Sequence, residues 1–274
     1  MHRALATGRD VPGPDPCTQR VGGSPHGPSV DWSARRRQRG LNCGVDCNQR
    51  IESVNAAIRH AERRADRPPG CVRLVAVSKA RTASEIANAH AAGQRDFGEN
   101  YLQEAVVKIK ALAELDIVWH FIGAIQSNKT TDIARHFQWI HTVDRPRIAN
   151  RLDQAAERPL DVCIQVNVDD EPQKAGVSAR DLPALVDHVL ALPRLRLRGL
   201  MAIPRAGGDR RASFRELRSL FDDLGADAGD HWDSLSMGMS EDFETAIDEG
   251  ATMVRIGTAI FGPRRAAFRD RVTA

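Results

Sequence analysis

The sequence predicts an α/β protein: one closed (β/α)8 barrel of the TIM type, with eight parallel strands, eight following helices and one added helix in front. Two observations favour this fold. From residue 49 onward, apolar stretches of strand length alternate with helical patterns, and eight such units fit the length of the chain. The turn after the first strand, residues 79–82, contains no glycine. An open doubly wound sheet that binds a dinucleotide, which is the alternative, would have glycine there.

The predicted strands are apolar along their whole length, which is typical of parallel strands covered on both faces. In chain order they are Val72–Ser78, Arg95–Gly98, Val118–Gly123, Trp139–Thr142, Val162–Val168, Leu197–Met201, Ser234–Ser236 and Met253–Ile256.

Helices are predicted in front of the first strand and between the strands. Residues 49–66 form an amphipathic helix with Ile51, Val54, Ile58 and Ala61 on one face. Further helical patterns cover Ser84–Ala92, Tyr101–Leu115, Ala179–Ala191 and Ala212–Leu224. Thr82 and Ser240 are expected to be N-caps, because their hydroxyl oxygens can accept from a free N–H group of the first helical turn.

Residues 1–48 differ from the rest in composition. They contain seven Gly and five Pro but few aliphatic residues, which predicts a disordered extension in front of a barrel domain at 49–274. Seven Arg against four Asp in this segment also account for the whole net charge of +3. The barrel is then electrically balanced, which argues against a nucleic-acid-binding surface.

Several other classes of protein are excluded in the same way. No apolar run approaches the roughly 18–20 residues of a membrane span, and the first 30 residues lack the apolar core of a secretory signal. Cys43 and Cys47 are separated by three residues and have no His pair nearby, so no metal site is expected. The five cysteines are then reduced thiols, and we expect a cytoplasmic monomer.

Lysine is rare in this chain, and its few positions are therefore informative. Only five of the 39 basic residues are Lys, so arginine supplies positive charge almost everywhere. Lysine is needed where an amine must react, for example in a Schiff base. The five are Lys79, Lys108, Lys110, Lys129 and Lys174. Lys79 stands at the end of the first predicted strand, where barrels carry their functional residues.

The ends of the last two strands predict a phosphate site. Ser236, Met237 and Gly238 end strand seven, and Gly257 with Thr258 ends strand eight. Small residues and exposed amides at a helix start can bind an anion, and barrels often bind phosphate after these two strands.

Barrel closure adds two cations to this phosphate site. Strand eight lies beside strand one in a closed barrel, which makes Arg255 a neighbour of Lys79. A lysine amine, a phosphate site and a second cation in one mouth are the parts of a pyridoxal 5′-phosphate pocket.

Seven segments, in this order, resemble the pyridoxal-phosphate homeostasis protein family. They are Leu74–Lys79, Phe97–Tyr101, Trp119–Gly123, Gln126–Lys129, Arg198–Met201, Leu235–Ser240 and Val254–Gly262. The resemblance covers about residues 49–266 and implies a single barrel like the N-terminal domain of alanine racemase, without the second domain of that enzyme.

The resemblance also implies roles for individual residues. Lys79 would carry the cofactor as a Schiff base, and Asn100 would help to orient its ring. Arg255 would lie near the pyridine nitrogen, and the phosphate would bind at Ser236, Met237, Gly257 and Thr258. The chain departs from the family pattern after Lys79, where residues 80–82 read Ala-Arg-Thr and the family often has Thr-Lys-Pro.

These roles predict a cofactor carrier that maintains the cell's vitamin B6 supply and passes it to recipient enzymes, with no catalytic residue of its own. A cation near the pyridine nitrogen disfavours its protonation, and the ring is then a poorer electron sink. An amino-acid racemase is the alternative, and it would need a second acid/base group besides Lys79. Tyr101, His120 and His141 are its candidates, although both histidines also fit as hydrogen-bonded barrel residues.

A third reading is a barrel enzyme for phosphosugars, in which Lys79 is an aldolase lysine without cofactor. Lys129 and Lys174 are expected at the same mouth as Asn100, either holding cofactor transiently or solvated.

Overall fold

A computed structural model of the chain describes residues 47–171 and 173–263. Within these residues, eight parallel strands close into a barrel in the order of the sequence, which confirms the predicted fold. The strands are β1 (Arg73–Val77), β2 (Asp96–Glu99), β3 (Val118–Phe121), β4 (Trp139–Val143), β5 (Leu160–Gln165), β6 (Leu195–Met201), β7 (Ser234–Ser236) and β8 (Met253–Ile256).

Helices surround the barrel on its outer face. They are α1 (Cys47–Arg64), α2 (Ala83–Ala91), α3 (Leu102–Ala111), α4 (Thr130–His136), α5 (Pro146–Ala155), α6 (Leu182–Leu190), α7 (Arg210–Leu224), α8 (Phe243–Asp248) and α9 (Thr258–Phe261), and a short 3₁₀ turn at Ser127–Lys129 precedes α4.

The seam of the barrel lies between β8 and β1. Val75 pairs with Arg255 and Ala76 with Ile256 in parallel register. Strand eight is therefore the direct neighbour of strand one, as predicted. The loop that follows β1 and the end of β8 consequently open into the same mouth of the barrel.

Apolar residues fill two separate regions. The larger core lies between the strands and the helices, where Phe97, Ile140 and Leu152 are fully buried. A smaller cluster lies inside the barrel and consists of Val75, Trp139, Cys163, Met201 and Met253. Burial raises the pKa of the Cys163 thiol to about 12, so this cysteine packs as a small apolar residue.

The added helix α1 covers the seam from outside. Its predicted apolar residues are buried: Ile51, Val54, Ile58 and Ala61. Glu62 on the same helix is also fully buried, and its carboxylate accepts from the backbone N–H groups of Gly70 and Val72. Arg64 bonds to Glu244 and Asp248 of α8. Helix α1 is thereby fixed both to the entry of β1 and to the helix before β8.

Of the two predicted N-cap residues, one caps its helix and the other does not. Thr82 caps α2 through a capping box with Glu85, as predicted. The prediction for Ser240 is wrong, because α8 begins only at Phe243 and Asp242 is its N-cap. The Asp242 carboxylate accepts from the N–H group of Met239 at 2.6 Å, so residues 239–242 form a turn and not a first helical turn.

The predicted disordered extension lies mostly outside the described residues. Residues 1–46 are not described, and Cys47 and Asn48 already belong to α1. None of the helices in residues 47–171 and 173–263 has the length and apolar character needed to cross a membrane.

Candidate functional site

Lys79 stands two residues after the end of β1 and is half-buried at the barrel mouth. The next residue, Ala80, has φ +58°, in the left-handed region that residues other than glycine seldom adopt. Its N–H group donates to Glu104 Oε1 of α3 at 2.6 Å. The chain is thus turned sharply just after the lysine, and a carboxylate from the next βα unit holds the turn.

A buried ammonium lies beneath this turn. Lys108 of α3 is only 4% exposed, and its Nζ donates to Ser78 O at 2.8 Å, to Glu99 Oε1 at 2.7 Å and to Glu104 Oε1. An ammonium has three N–H donors, and all three have acceptors here. The Lys108 amine therefore has a structural task, which fixes the backbone next to Lys79.

Glu99 is the buried carboxylate of this cluster. It ends β2, is fully buried, and accepts from Lys108 and from the Ser78 hydroxyl at 2.5 Å. Burial raises its pKa, although Lys108 and Ser78 act in the opposite direction. This cluster of Ser78, Glu99, Glu104 and Lys108 was not predicted from the sequence. The available signal was the Glu104–Lys108 pair, four residues apart on one helix.

Arg255 is a buried cation at the same mouth. Its side chain is directed into the barrel, where Nη1 donates to Ser236 Oγ at 2.6 Å and Nη2 to Ala202 O at 2.9 Å. Burial lowers its pKa to about 10, so the guanidinium stays charged at neutral pH. Both of these acceptors are neutral, and no salt bridge to it is found among the described residues. The charge is thus available to an electron-rich ligand.

The predicted phosphate residues divide into two groups. Gly257 and Thr258 lie at the accessible rim. Ser236 and Met237 are fully buried, and both use their polar groups within the barrel: the Ser236 hydroxyl bonds to His141 and Arg255, and the Met237 N–H donates to Met253 O.

Close backbone packing explains the glycine at the end of β8. A Cβ on Gly257 would lie 3.1 Å from the carbonyl oxygen of Val77. The end of β8 therefore approaches the end of β1 closely, just before Lys79. Asn100, which follows β2, has a buried Oδ1 with no hydrogen-bond partner among the described residues. A buried acceptor of this kind fits a site that is completed by a ligand.

The two histidines of β3 and β4 are hydrogen-bonded barrel residues. Both are fully buried. His120 Nδ1 lies 2.9 Å from His141 Nε2, His120 Nε2 lies 2.9 Å from Asp96 Oδ1, and His141 Nδ1 lies 2.7 Å from Ser236 Oγ. The sequence had indicated this type of role for the rings, but not their connection to Ser236.

The two remaining lysine candidates have surroundings of their own. Lys129 lines a groove of about 580 Å³ between α3 and α4, together with Leu102, Val106 and Arg135. Lys174 lies in the loop after β5, 3.1 Å from Glu171 and 3.5 Å from Asp169. No cluster of three or more His, Cys, Asp or Glu side chains that could hold a metal occurs in the described ranges.

Comparison with known proteins agrees with this geometry. Residues 50–265 match the family model of the alanine racemase N-terminal domain. The pyridoxal phosphate homeostasis protein of Pseudomonas aeruginosa is 55% identical over 222 residues, which is 79% of this chain and 95% of that protein. Its counterpart in Escherichia coli K12 is 48% identical over 230 residues, or 80% and 97%.

Solved structures give the same result. PipY of Synechococcus elongatus with pyridoxal phosphate bound is 38% identical, covers 79% of this chain and all of its own, and has a TM-score of 0.71. Alanine racemase of Corynebacterium glutamicum is 20% identical with a TM-score of 0.56 and matches over 61% of its length, which shows a shared fold alone. The predicted resemblance is confirmed, and the chain belongs to the family of pyridoxal phosphate homeostasis proteins.

Proposed function

We propose that this chain binds pyridoxal 5′-phosphate at the Lys79 amine and maintains the supply of this cofactor for other proteins, without a strong catalytic activity of its own. The observation that carries the proposal is the buried Arg255 guanidinium, which has neutral hydrogen-bond partners and lies on the strand that pairs with β1, shortly before Lys79. The relatives named as homeostasis proteins and the PipY structure with its bound cofactor support it.

Each residue of the mouth has a part in this proposal. Lys79 supplies the amine for attachment. Gly257 and Thr258 lie where the phosphate would bind, and Asn100 offers an acceptor that lacks a partner within the described residues. Ser236 and Met237 support the site from behind, because their polar groups are already engaged.

Arg255 accounts for weak catalysis. The bound cofactor withdraws electrons from an attached amino acid most strongly when its pyridine nitrogen is protonated. A guanidinium that retains its charge disfavours a second positive charge nearby. The burial of Arg255 strengthens this effect, since a charge in the protein interior is screened less than one in bulk water.

The racemase alternative lacks a suitable second acid/base group. Tyr101 is the single tyrosine of the chain and is 63% exposed at the start of α3. His120 and His141 are fully buried and bonded to each other inside the barrel. The arrangement therefore favours a carrier over a racemase.

The proposal can be tested with purified protein incubated with pyridoxal phosphate. Borohydride reduction followed by peptide mapping is expected to place the pyridoxyl group on Lys79. Lys79→Ala is expected to lose the visible absorbance of the bound cofactor while the fold is retained, and Lys110→Ala, on the exposed side of α3, is the matched control. Labelling of Lys129 or Lys174 alone would contradict the role of Lys79, and no labelling at all would contradict the function.

Delivery is tested separately. Loaded protein is mixed with a cofactor-free, pyridoxal-phosphate-dependent enzyme, and the recovery of that enzyme's activity is followed. Recovery is expected with the parent protein and not with Lys79→Ala. If free cofactor at the same concentration acts equally fast, the protein stores the cofactor but does not deliver it.

A further inference from the structure

A chain of four hydrogen bonds crosses the barrel interior. It runs from Arg255 Nη1 to Ser236 Oγ (2.6 Å), on to His141 Nδ1 (2.7 Å), from His141 Nε2 to His120 Nδ1 (2.9 Å), and from His120 Nε2 to Asp96 Oδ1 (2.9 Å). Five strands each contribute one residue. The chain therefore connects Arg255 in the candidate site with a carboxylate at the beginning of β2.

The two ends of this chain determine its direction. A guanidinium can only donate hydrogen bonds, and a carboxylate can only accept them. When both rings are neutral, Ser236, His141 and His120 each contribute one proton to the three bonds between them and Asp96. A single arrangement satisfies every bond: His120 and His141 both carry their proton on Nε2, and the Ser236 hydroxyl donates to His141 Nδ1.

We propose that His141, His120 and Asp96 are positioning residues that fix the proton order at Ser236. The Ser236 hydroxyl must donate into the barrel, so that its oxygen offers only lone pairs to Arg255. The guanidinium is thereby held between Ser236 Oγ and Ala202 O. The link to the cofactor rests on the proposed function, in which the position of Arg255 sets the electronic state of the ring.

The charged groups around the two histidine rings are consistent with rings that are both uncharged. Arg73 of β1 and Arg255 of β8 face it as cations, and Asp96 of β2 and Asp161 of β5 face it as anions. Burial lowers the pKa of His120, and burial together with His120, Arg255 and Arg73 lowers the pKa of His141 well below its ordinary value. At neutral pH both rings are therefore expected to be uncharged.

Nitrogen-15 NMR of the histidine-labelled, cofactor-free protein tests the proton order directly. At about pH 7, both buried rings are expected to carry the proton on Nε2 and a bare Nδ1. Each signal is assigned by its loss in His120→Asn or His141→Asn. A proton on Nδ1 of either ring, or two charged rings, would overturn the proposal. The proton order is read from the unmodified protein, and the two variants serve only to assign its signals.

A matched pair of variants tests the link to the site. In Asp96→Asn the side-chain amide can donate to His120, and we expect a population with Nδ1–H at His141 together with a loss of pyridoxal phosphate affinity of about tenfold. Asp161→Asn removes a carboxylate that faces the rings but accepts from Arg196 and Arg198 instead of from a histidine, and neither readout is expected to change. Circular dichroism establishes that both variants are folded.

The outcomes separate the two proposals. If Asp96→Asn alters neither the proton order nor the affinity, the positioning role is wrong. If the NMR shows the expected order and no form of the protein binds pyridoxal phosphate, the proton order stands, while the proposed function and its link to Asp96 fail.

Discussion

Replacement of Lys108 by Met removes the one ammonium of a buried cluster and retains most of its apolar volume. Three hydrogen bonds are lost, two of them to carboxylates. Glu99 is fully buried and Glu104 is half-buried, so neither group is freely hydrated after the change. Breaking a buried ion pair by removing one partner costs about 3–5 kcal/mol. We expect the free energy of unfolding of Lys108→Met to fall by about that amount at neutral pH.

The pH dependence distinguishes this cause from a simple packing defect. Burial already raises the pKa of Glu99, and loss of Lys108 removes the main opposing effect. A carboxyl group whose pKa is higher in the folded than in the unfolded chain stabilises the fold below its unfolded pKa and loses that effect as pH rises through the folded pKa. The variant is therefore expected to be less impaired at about pH 5 than at about pH 8.

Urea denaturation at both pH values measures the effect. Lys110→Met is the matched control, since Lys110 is exposed on the same helix, and it is expected to change stability by less than about 0.5 kcal/mol. Adding Glu99→Gln to Lys108→Met is expected to restore part of the loss. A loss below about 1 kcal/mol in Lys108→Met, or a loss that is independent of pH, would refute the reasoning.

Three further predictions concern other parts of the barrel. Gly238→Ala is expected to lower the free energy of unfolding by about 2–3 kcal/mol, because φ is +91° and the new Cβ would lie 2.6 Å from Ala246 Cβ. The control Gly207→Ala has a similar φ of +79° but no atom within 4 Å of the new Cβ, and it should lower the free energy of unfolding by only about 1 kcal/mol. Equal losses for the two variants in urea denaturation would contradict this prediction. Folded His120 and His141 have lowered pKa values, so the free energy of unfolding should fall as pH drops below about 6.5, and a flat profile would count against their burial. Arg255→Glu replaces the cation near the pyridine nitrogen with a carboxylate, so deuterium exchange at the α-carbon of alanine should become detectable in the cofactor-loaded variant. If the unmodified protein already exchanges this proton at about 1 s⁻¹, the carrier role is contradicted.

The strand order and the positions of Lys79 and Arg255 followed from the sequence because barrel closure leaves few choices. Once eight apolar strands alternate with helices, the last must pair with the first. The residues that follow each strand then meet at one mouth. These conclusions need only the pattern of the chain and not the details of its packing.

The direction of individual side chains did not follow in the same way. Strand β7 has three residues, too few for an alternating pattern to show which of them face inward. The Ser236 hydroxyl was therefore expected at the phosphate, whereas the structure directs it to His141 and Arg255.

A usable signal existed for Lys108. Leu102, Ala105 and Lys108 follow one another at three-residue spacing, and all three are buried on one face of α3. A lysine on the buried face of a helix requires acceptors nearby, and Glu104 one turn before it was the first of them.

The attachment of α1 across the seam has a consequence for synthesis of the protein. Arg64 reaches Glu244 over 180 residues of chain, and the strand before Lys79 pairs with the strand that carries Arg255. During synthesis, the edge of β1 that pairs with β8 has no partner strand until β8 has left the ribosome. Until then Arg255 is missing from the mouth that holds Lys79, so the proposed site is incomplete on a nascent chain. Under the proposed function, cofactor binding at the complete mouth therefore begins only after β8 has been synthesised.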